Sequence, residues 1–126
     1  MTKRIMVVED NDLNRKLFCD VLSANGFEAL PVADGGHVLD TAIRHTPDLI
    51  VMDIQLPGVS GVDLIQAAKQ DVRLEAIPIL AVTAFAAKGD EERIRAAGAS
   101  GYLSKPVSIT PFMSAVNGLL STQSEP

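Results

Sequence analysis

Near its middle, the chain reads Leu49-Ile50-Val51-Met52-Asp53, four apolar residues followed by a carboxylate. A strand that is apolar on both faces is typical of a parallel sheet that helices cover on both sides. The ligands of such sheets bind beyond the carboxyl ends of the strands. The segment therefore predicts a buried parallel strand with Asp53 at the edge of the sheet where chemistry occurs.

On both sides of this segment, short apolar runs alternate with longer helical patterns, five times in all. The predicted strands cover residues 5–8, about 27–32, 49–52, 77–82 and about 101–104. The helical pattern after the first strand places Leu13, Leu17, Val21 and Leu22 on one apolar face. This alternation predicts an α/β fold, one (βα)5 unit with a parallel sheet, right-handed crossovers and helices on both faces.

The composition fits one globular domain. The chain has 126 residues, of which 47% are hydrophobic and 21% charged, and no Pro/Ser/Gly-rich linker divides it. We expect a single domain over residues 1–120, a short frayed tail at 121–126 and no output domain. A net charge of −5 argues against nucleic-acid binding, and no apolar run is long enough for a membrane span. We therefore predict a cytoplasmic protein with no nucleic-acid or membrane partner.

Residues that can carry chemistry follow four of the five predicted strands. Glu9 and Asp10 follow the first strand, Asp53 the third, Thr83 the fourth and Lys105 the fifth. Three carboxylates at one edge repel one another unless a cation lies among them, although a solvated acidic edge without an ion is an alternative. An oxygen-only set with few protein ligands favours Mg²⁺ over Ca²⁺. The pattern predicts a magnesium site.

The same edge has the parts of a phosphoryl-transfer site. An aspartate such as Asp53 can act as the nucleophile that forms an aspartyl phosphate, and such reactions depend on positioning and charge neutralisation. Lys105 can offer a positive charge to a phosphoryl oxygen, and the Thr83 hydroxyl can offer a hydrogen bond. Lys105 or Thr83 alone would not indicate a phosphoryl-transfer site. The order and spacing of these residues along the chain do indicate one.

Over essentially its whole length, the chain resembles the receiver domains of two-component response regulators, the CheY-like superfamily. The matching segments are Val7-Val8-Glu9-Asp10-Asn11, Met52-Asp53-Ile54-Gln55-Leu56-Pro57-Gly58, Val82-Thr83-Ala84-Phe85 and Lys105-Pro106. The resemblance implies a flavodoxin-like, doubly wound fold whose five-stranded parallel sheet has the order 2-1-3-4-5. It also implies a phosphoacceptor that promotes its own phosphorylation and dephosphorylation rather than a turnover enzyme.

The resemblance also assigns the acidic residues and the lysine. Asp53 would accept a phosphoryl group from a phosphohistidine of a sensor kinase, assisted by Lys105. Glu9, Asp10, Asp53 and the backbone carbonyl of Gln55 would hold Mg²⁺, for which Mn²⁺ can substitute. These roles are expectations carried over from the family's motifs.

Further roles concern switching and the lifetime of the phosphoryl group. Thr83 and Tyr102 match the family's switch pair, and the peptide bond before Pro106 is expected to be cis. Gln55 and Phe85, two residues after Asp53 and Thr83, are predicted to tune hydrolysis. A bulky ring at Phe85 would hinder the attacking water, so we predict slow self-dephosphorylation.

A narrower resemblance is to the DivK type, stand-alone receivers that act in cell division and polarity. It is carried by Asp53-Ile54-Gln55-Leu56-Pro57, Ala81-Val82-Thr83-Ala84-Phe85-Ala86 and residues 88–95. It implies sensor histidine kinases and a bifunctional kinase/phosphatase as partners. A downstream protein would contact the fourth helix, fifth strand and fifth helix of a monomer or weak dimer.

Arg15, Leu17 and Phe18 are candidates for the face that meets the phosphoryl donor, unless Leu17 and Phe18 only serve the core.

Two other functions are weaker readings of the same pattern. A small Mg²⁺-dependent phosphatase with an aspartate nucleophile usually needs a second carboxylate two residues later, where this chain has Gln55. A dinucleotide or flavin module needs a glycine- or hydroxyl-rich first loop, whereas the loop here begins with Glu9 and Asp10. The phosphatase remains the alternative function.

Overall fold

The computed structural model of the chain describes residues 2–84 and 89–124. The main sheet contains the strands β1 (Arg4–Val8), β2 (Glu28–Val32), β3 (Leu49–Asp53), β6 (Ile79–Thr83) and β7 (Gly101–Ser104), and a small hairpin contains β4 (Gln55–Leu56) and β5 (Val59–Ser60). The helices are α1 (Asp12–Ala24), α2 (Val38–His45), α3 (Gly61–Gln70), α4 (Asp90–Ala97) and α5 (Ile109–Ser124), and a 3-10 turn, Gly35–His37, leads into α2.

The five long strands are parallel and lie in the order β2-β1-β3-β6-β7. Since β6 and β7 are the fourth and fifth strands of this sheet, the predicted order 2-1-3-4-5 is confirmed. All five residues of β3 are buried, as expected for a central strand covered on both faces. The register pairs Val8 with Met52 and Asp53 with Val82, which brings the ends of β1, β3 and β6 together.

The core has two parts, one on each face of the sheet. Ile50 and Met52 of β3 point into the cluster that also contains residues of α2, α3 and α4. Leu49 and Val51 point into the cluster with α1 and α5, which contains Phe18, Leu22, Phe112 and Val116. The rings of Phe18 and Phe112 stack with their centroids 4.9 Å apart. Fully burying one such side chain contributes about 2 kcal/mol, so the two clusters hold the sheet between the helix layers.

The apolar face predicted for α1 is wrong in part. Leu22 is fully buried, but Leu13 and Leu17 are 66% and 52% exposed, and Phe18 lies in the core instead. Residues four apart form one stripe along a helix, yet this spacing does not decide which neighbouring stripe meets the sheet. Leu13 and Leu17 therefore lie on the part of α1 that faces solvent.

Two further features differ from the expected pattern. The hairpin of β4 and β5 was not predicted, because two-residue strands carry no readable alternation. The last helix extends to Ser124, beyond the expected start of a tail at residue 121. No Gly or Pro follows Leu120 until Pro126, so the sequence offers no stop signal at the predicted boundary. Within the described residues, no helix is both long enough and apolar enough to cross a membrane.

Candidate phosphoacceptor and metal site

Three carboxylates lie together at the carboxyl edge of the sheet. Val8 and Met52 are register partners, so the residues that follow them, Glu9 and Asp53, emerge side by side. Glu9, Asp10 and Asp53 each offer an oxygen within 4.8 Å of those of the other two. Glu9 and Asp53 are 1% and 3% exposed, whereas Asp10 is exposed. The cluster therefore has a buried floor and one carboxylate open to solvent.

Lys105 reaches this cluster from the end of β7, an edge strand that lies two strands away from β3. Its Nζ lies 2.9 Å from Glu9 Oε1 and 3.2 Å from Asp53 Oδ2. The lysine follows β7 directly, and its backbone N–H donates to the carbonyl of Thr83, 2.7 Å away. This bond continues the pairing of β6 with β7 by one residue. The pairing therefore fixes the backbone of Lys105 at the edge where Asp53 lies.

Backbone N–H groups hold the two buried carboxylates. The N–H of Asn11 donates to Glu9 Oε2 over 3.1 Å, and the N–H of Gln55 donates to Asp53 Oδ1 over 3.0 Å. The side chain of Asn11 also caps α1 by accepting from the N–H of Asn14 at 2.9 Å. The loop that carries the acidic pair is thus fixed at the start of a helix.

The electrostatics of the cluster favour an additional cation. Burial raises the pKa of Glu9, against the lowering effect of Lys105 and Asn11, and the neighbouring Asp53 raises it further. Burial lowers the pKa of Lys105, but its ion pair with Glu9 and the charge of Asp53 outweigh this, so its pKa lies above the ordinary value. The single charge of Lys105 offsets one of three carboxylate charges.

The donor set also fits a hard metal ion. Glu9 Oε1 is fully buried and, although close to Lys105 Nζ, has no hydrogen bond of suitable geometry among the described residues. Carboxylate oxygens at this spacing are the ligands that Mg²⁺ prefers, and the exposed Asp10 leaves a side open for water. The cluster is therefore compatible with magnesium binding.

Arg15 supports the acidic loop in a way that the sequence did not reveal. Its Nη1 donates to the carbonyl oxygen of Glu9 at 2.9 Å, and its Nη2 lies 2.6 Å from Asp12 Oδ1. The i,i+3 spacing of Asp12 and Arg15 indicates an ion pair on α1, but nothing in the spacing points to the Glu9 carbonyl. Arg15 was expected only on the donor-facing surface.

The comparison with protein families agrees with this geometry. The family model described as "Response regulator receiver domain" matches residues 5–117. The chain belongs to this family.

The chain is also similar to individual response regulators and to solved receiver structures. It is 52% identical over 120 residues to the polar-differentiation response regulator DivK of Brucella abortus, covering 95% of this chain and 98% of that protein. The receiver domain of a sensor histidine kinase from Pseudomonas aeruginosa is 30% identical, with a TM-score of 0.87 over 96% of this chain and 99% of that one, and it was solved with a magnesium ion in its active site cleft. A CheY-like receiver from Methanospirillum hungatei superposes with a TM-score of 0.91 at 25% identity over 98% of this chain and 97% of that one.

The remaining residues expected in the receiver site lie around the cluster. Thr83 is 2% exposed at the end of β6, and the Lys105–Pro106 peptide bond is cis. Tyr102 is half-buried on β7; burial raises its pKa, as do the charges of Asp90 and Glu91 at the start of α4. Tyr102 packs against the core cluster that contains Ile94 and Ala97 of α4. Phe85, expected to tune hydrolysis, lies outside the described residues.

An apolar groove of about 570 Å³ opens beside the site, between α1 and the start of α5. Leu17, Phe18 and Phe112 line it, together with Lys105 and Ala84. Its rim carries the exposed Leu17, which leaves solvent-facing apolar surface next to the phosphoacceptor.

Proposed function

We propose that this receiver accepts a phosphoryl group on Asp53. The observation that carries the proposal is the contact of the nearly buried Asp53 with Lys105, at 3.2 Å, inside a cluster of carboxylates. Glu9, Asp10, Asp53 and the Gln55 carbonyl would hold Mg²⁺, or Mn²⁺ in its place. The ion would supply positive charge that offsets the carboxylates and the phosphoryl oxygens.

The residues of the chain would act chiefly by position and charge. A carboxylate oxygen of Asp53 forms a bond to phosphorus while the bond from phosphorus to the donor's histidine nitrogen breaks, and the leaving imidazole takes a proton from solvent. Lys105 offsets charge on the transferred group, and the Thr83 hydroxyl donates a hydrogen bond to it. The aspartyl phosphate is later hydrolysed by water, so the chain promotes both steps on itself and turns over no free substrate.

The experiment that tests this is phosphorylation by a small donor. The pure protein is incubated with phosphoramidate, with Mg²⁺ or with EDTA, and its intact mass is measured. Asp53→Asn is the test variant, and Asp63→Asn, which alters an exposed carboxylate on α3, is the matched control. One added phosphoryl group that requires Mg²⁺ and Asp53 but not Asp63 is expected. An adduct that survives Asp53→Asn, or none in the wild type, would contradict the proposal.

An assay of phosphate release from a phosphate ester separates the alternative function. A phosphatase would release phosphate continuously from an ester, whereas a receiver is labelled once per molecule. Gln55, with its carboxamide, cannot serve as the acid/base that a phosphatase of this type uses. The phosphatase is therefore not favoured.

The groove beside α1 is proposed to receive the phosphoryl donor. An apolar groove commonly binds an amphipathic helix, so a donor helix that carries the phosphohistidine would fit here. Lys105, which contacts Asp53, also lines the groove, so a helix lying in it would pass close to the phosphoacceptor. The exposed Leu13 and Leu17 would pack on that helix.

The output surface is proposed to lie on α4, β7 and α5. The buried residues of α4 are Ile94 and Ala97. Because so few apolar side chains attach α4 to the core, this helix can shift when the site is phosphorylated. The similarity to DivK supports a role in cell division or polarity, with sensor kinases and a kinase/phosphatase as partners. We expect a cytoplasmic receiver that is monomeric or weakly dimeric.

The lifetime of the phosphoryl group is proposed to be long. An apolar side chain at position 85 offers no hydrogen bond to a hydrolytic water, whereas a glutamate would. Phe85→Glu is therefore expected to speed loss of the phosphoryl group. An unchanged rate in both Phe85→Glu and Phe85→Ala would count against this role.

A further inference from the structure

The side chain of Gln55 contacts a part of the chain far from it in sequence. Its Oε1 accepts a hydrogen bond from the backbone N–H of Ala84 at 3.1 Å, 29 residues away. Gln55 begins the hairpin that follows the phosphoacceptor strand, and Ala84 is the first residue after β6. The contact thus joins the segments that leave two adjacent strands.

The sheet explains why Ala84 needs this partner. The N–H of Ile54 donates to the carbonyl of Val82 at 3.0 Å, which extends the parallel pairing of β3 with β6 by one residue. In a parallel ladder, the next bond would run from the Ala84 N–H to the carbonyl of Ile54. That carbonyl instead accepts the N–H of Gly61, 3.1 Å away, because the hairpin turns back at this point. The Gln55 carboxamide replaces the lost main-chain acceptor.

The same residue is bonded to the phosphoacceptor. The backbone N–H of Gln55 donates to Asp53 Oδ1 at 3.0 Å, while its side chain holds Ala84. Phosphorylation of Asp53 would add three strong acceptor oxygens at this edge, and a backbone N–H is a suitable donor for one of them. The phosphoryl group and the carboxamide would then compete for the N–H of Ala84.

We propose that the Gln55 side chain is a latch: it occupies the Ala84 N–H in the unphosphorylated protein and must release it when the phosphoryl group binds that N–H. The latch rests on the proposed function of Asp53. It makes Gln55 a positioning residue that opposes the phosphorylated arrangement. One hydrogen bond contributes a modest net free energy, so removing the latch is expected to favour the phosphoryl-bound arrangement about fivefold.

The first test measures amide hydrogen exchange at Ala84 in the metal-free, unphosphorylated protein. Gln55→Met keeps the length of the side chain and removes the acceptor, so exchange at Ala84 is expected to be about fivefold faster. Gln66→Met, on the exposed face of α3, is the matched control and is expected to have no effect. Gln55→Glu restores an acceptor oxygen and is expected to slow exchange again. Unchanged exchange in Gln55→Met would overturn the latch.

The second test measures binding of beryllofluoride, a phosphoryl mimic, in the presence of Mg²⁺. Gln55→Met is expected to bind it about fivefold more tightly than the wild type, and Gln66→Met equally well. Gln55→Asn, whose carboxamide is one methylene shorter, should act like Gln55→Met and provides the test if that variant fails to fold. Weaker or unchanged binding in both Gln55 variants would overturn the latch. No binding to the wild type would overturn the proposed function, while exchange at Ala84 would still report on the contact itself.

Discussion

The ammonium group of Lys105 lies 2.9 Å from Oε1 of Glu9, a carboxylate that is 1% exposed. The same Nζ lies 3.2 Å from Asp53, so one lysine serves two nearly buried negative charges. An opposite charge lost from such a site leaves carboxylates buried without compensation, which is costly. Lys105 therefore stabilises the metal-free protein as well as serving the chemistry.

Replacing Lys105 with methionine is expected to destabilise the metal-free protein by about 2 kcal/mol, because Glu9 and Asp53 lose their shared cation while Nζ had partial access to water. Mg²⁺ should recover much of this loss, since it brings positive charge to the same carboxylates. The measurement is urea unfolding in EDTA and in MgCl₂. The stabilisation by Mg²⁺ should be larger in Lys105→Met than in the wild type.

The matched control is Lys16→Met, which breaks an exposed ion pair with Asp20 on α1. Exposed pairs contribute little, so no measurable change and no altered response to Mg²⁺ are expected. If Lys105→Met in EDTA were as stable as the wild type, the electrostatic role assigned to Lys105 would be wrong.

Gly61 allows the hairpin to lie against the end of β3. A Cβ at this position would lie 2.6 Å from Ile54 Cα and 2.8 Å from its carbonyl oxygen, both backbone atoms that cannot move cheaply. Gly61→Ala is expected to lower the free energy of unfolding by about 3 kcal/mol. Urea unfolding of the metal-free protein measures this effect.

Gly118 in α5 provides the comparison for the same substitution. A Cβ built there meets no atom within 4 Å, and alanine favours a helix over glycine by about 1 kcal/mol. Gly118→Ala should therefore be neutral or stabilising. A Gly61→Ala protein as stable as Gly118→Ala would mean that the hairpin can shift away from Ile54 at little cost.

The sequence predicted the sheet and the acidic cluster because both depend on strand ends. Apolar runs located the strands, and the rule that parallel strands end at one edge brought Glu9, Asp10 and Asp53 together before any distance was known. Lys105 could be placed there for the same reason. These predictions needed only the order of the elements.

Contacts that depend on exact register could not be predicted. The bond between Gln55 and Ala84 arises because Gly61 takes the carbonyl of Ile54, a consequence of a hairpin with two-residue strands. On α1, spacing alone did not decide that Phe18 rather than Leu17 faces the sheet. Periodicity gives the faces of an element, and packing selects among them.

Asp71 provides a pH-dependent contribution to stability. Hydrogen bonds from the side chain and then the backbone N–H of Arg73 lower the pKa of Asp71 to about 2. Because the folded pKa is depressed, the contribution is complete well above the unfolded pKa of about 4 and is lost as the pH falls from there towards 2. The stability difference between wild type and Asp71→Asn should shrink over this range in acid-unfolding experiments.

Carbon-13 NMR of the Asp71 carboxyl group measures the titration directly. In Arg73→Gln, the pKa of Asp71 should rise towards its ordinary range but stay below it, because the backbone N–H at position 73 still donates. Arg44→Gln, which breaks an exposed pair on α2, should leave the Asp71 titration unchanged. A pKa for Asp71 that does not respond to Arg73→Gln would show that the side-chain pair is absent in solution.

The exposed leucines of α1 allow the donor face to be tested apart from the chemistry. Leu17→Ser and Leu13→Ser alter side chains that are at least half exposed, so the fold and labelling by phosphoramidate should be unchanged. Transfer from a phosphorylated histidine kinase domain that labels the wild type should fall about tenfold, since an apolar contact with the donor helix is lost. Val72→Ser, at a position 80% exposed beyond α3, should transfer normally. If labelling by phosphoramidate and transfer from the kinase domain fell equally, the leucines would contribute to the stability of the site rather than to donor binding. If neither fell, the donor would not bind at α1.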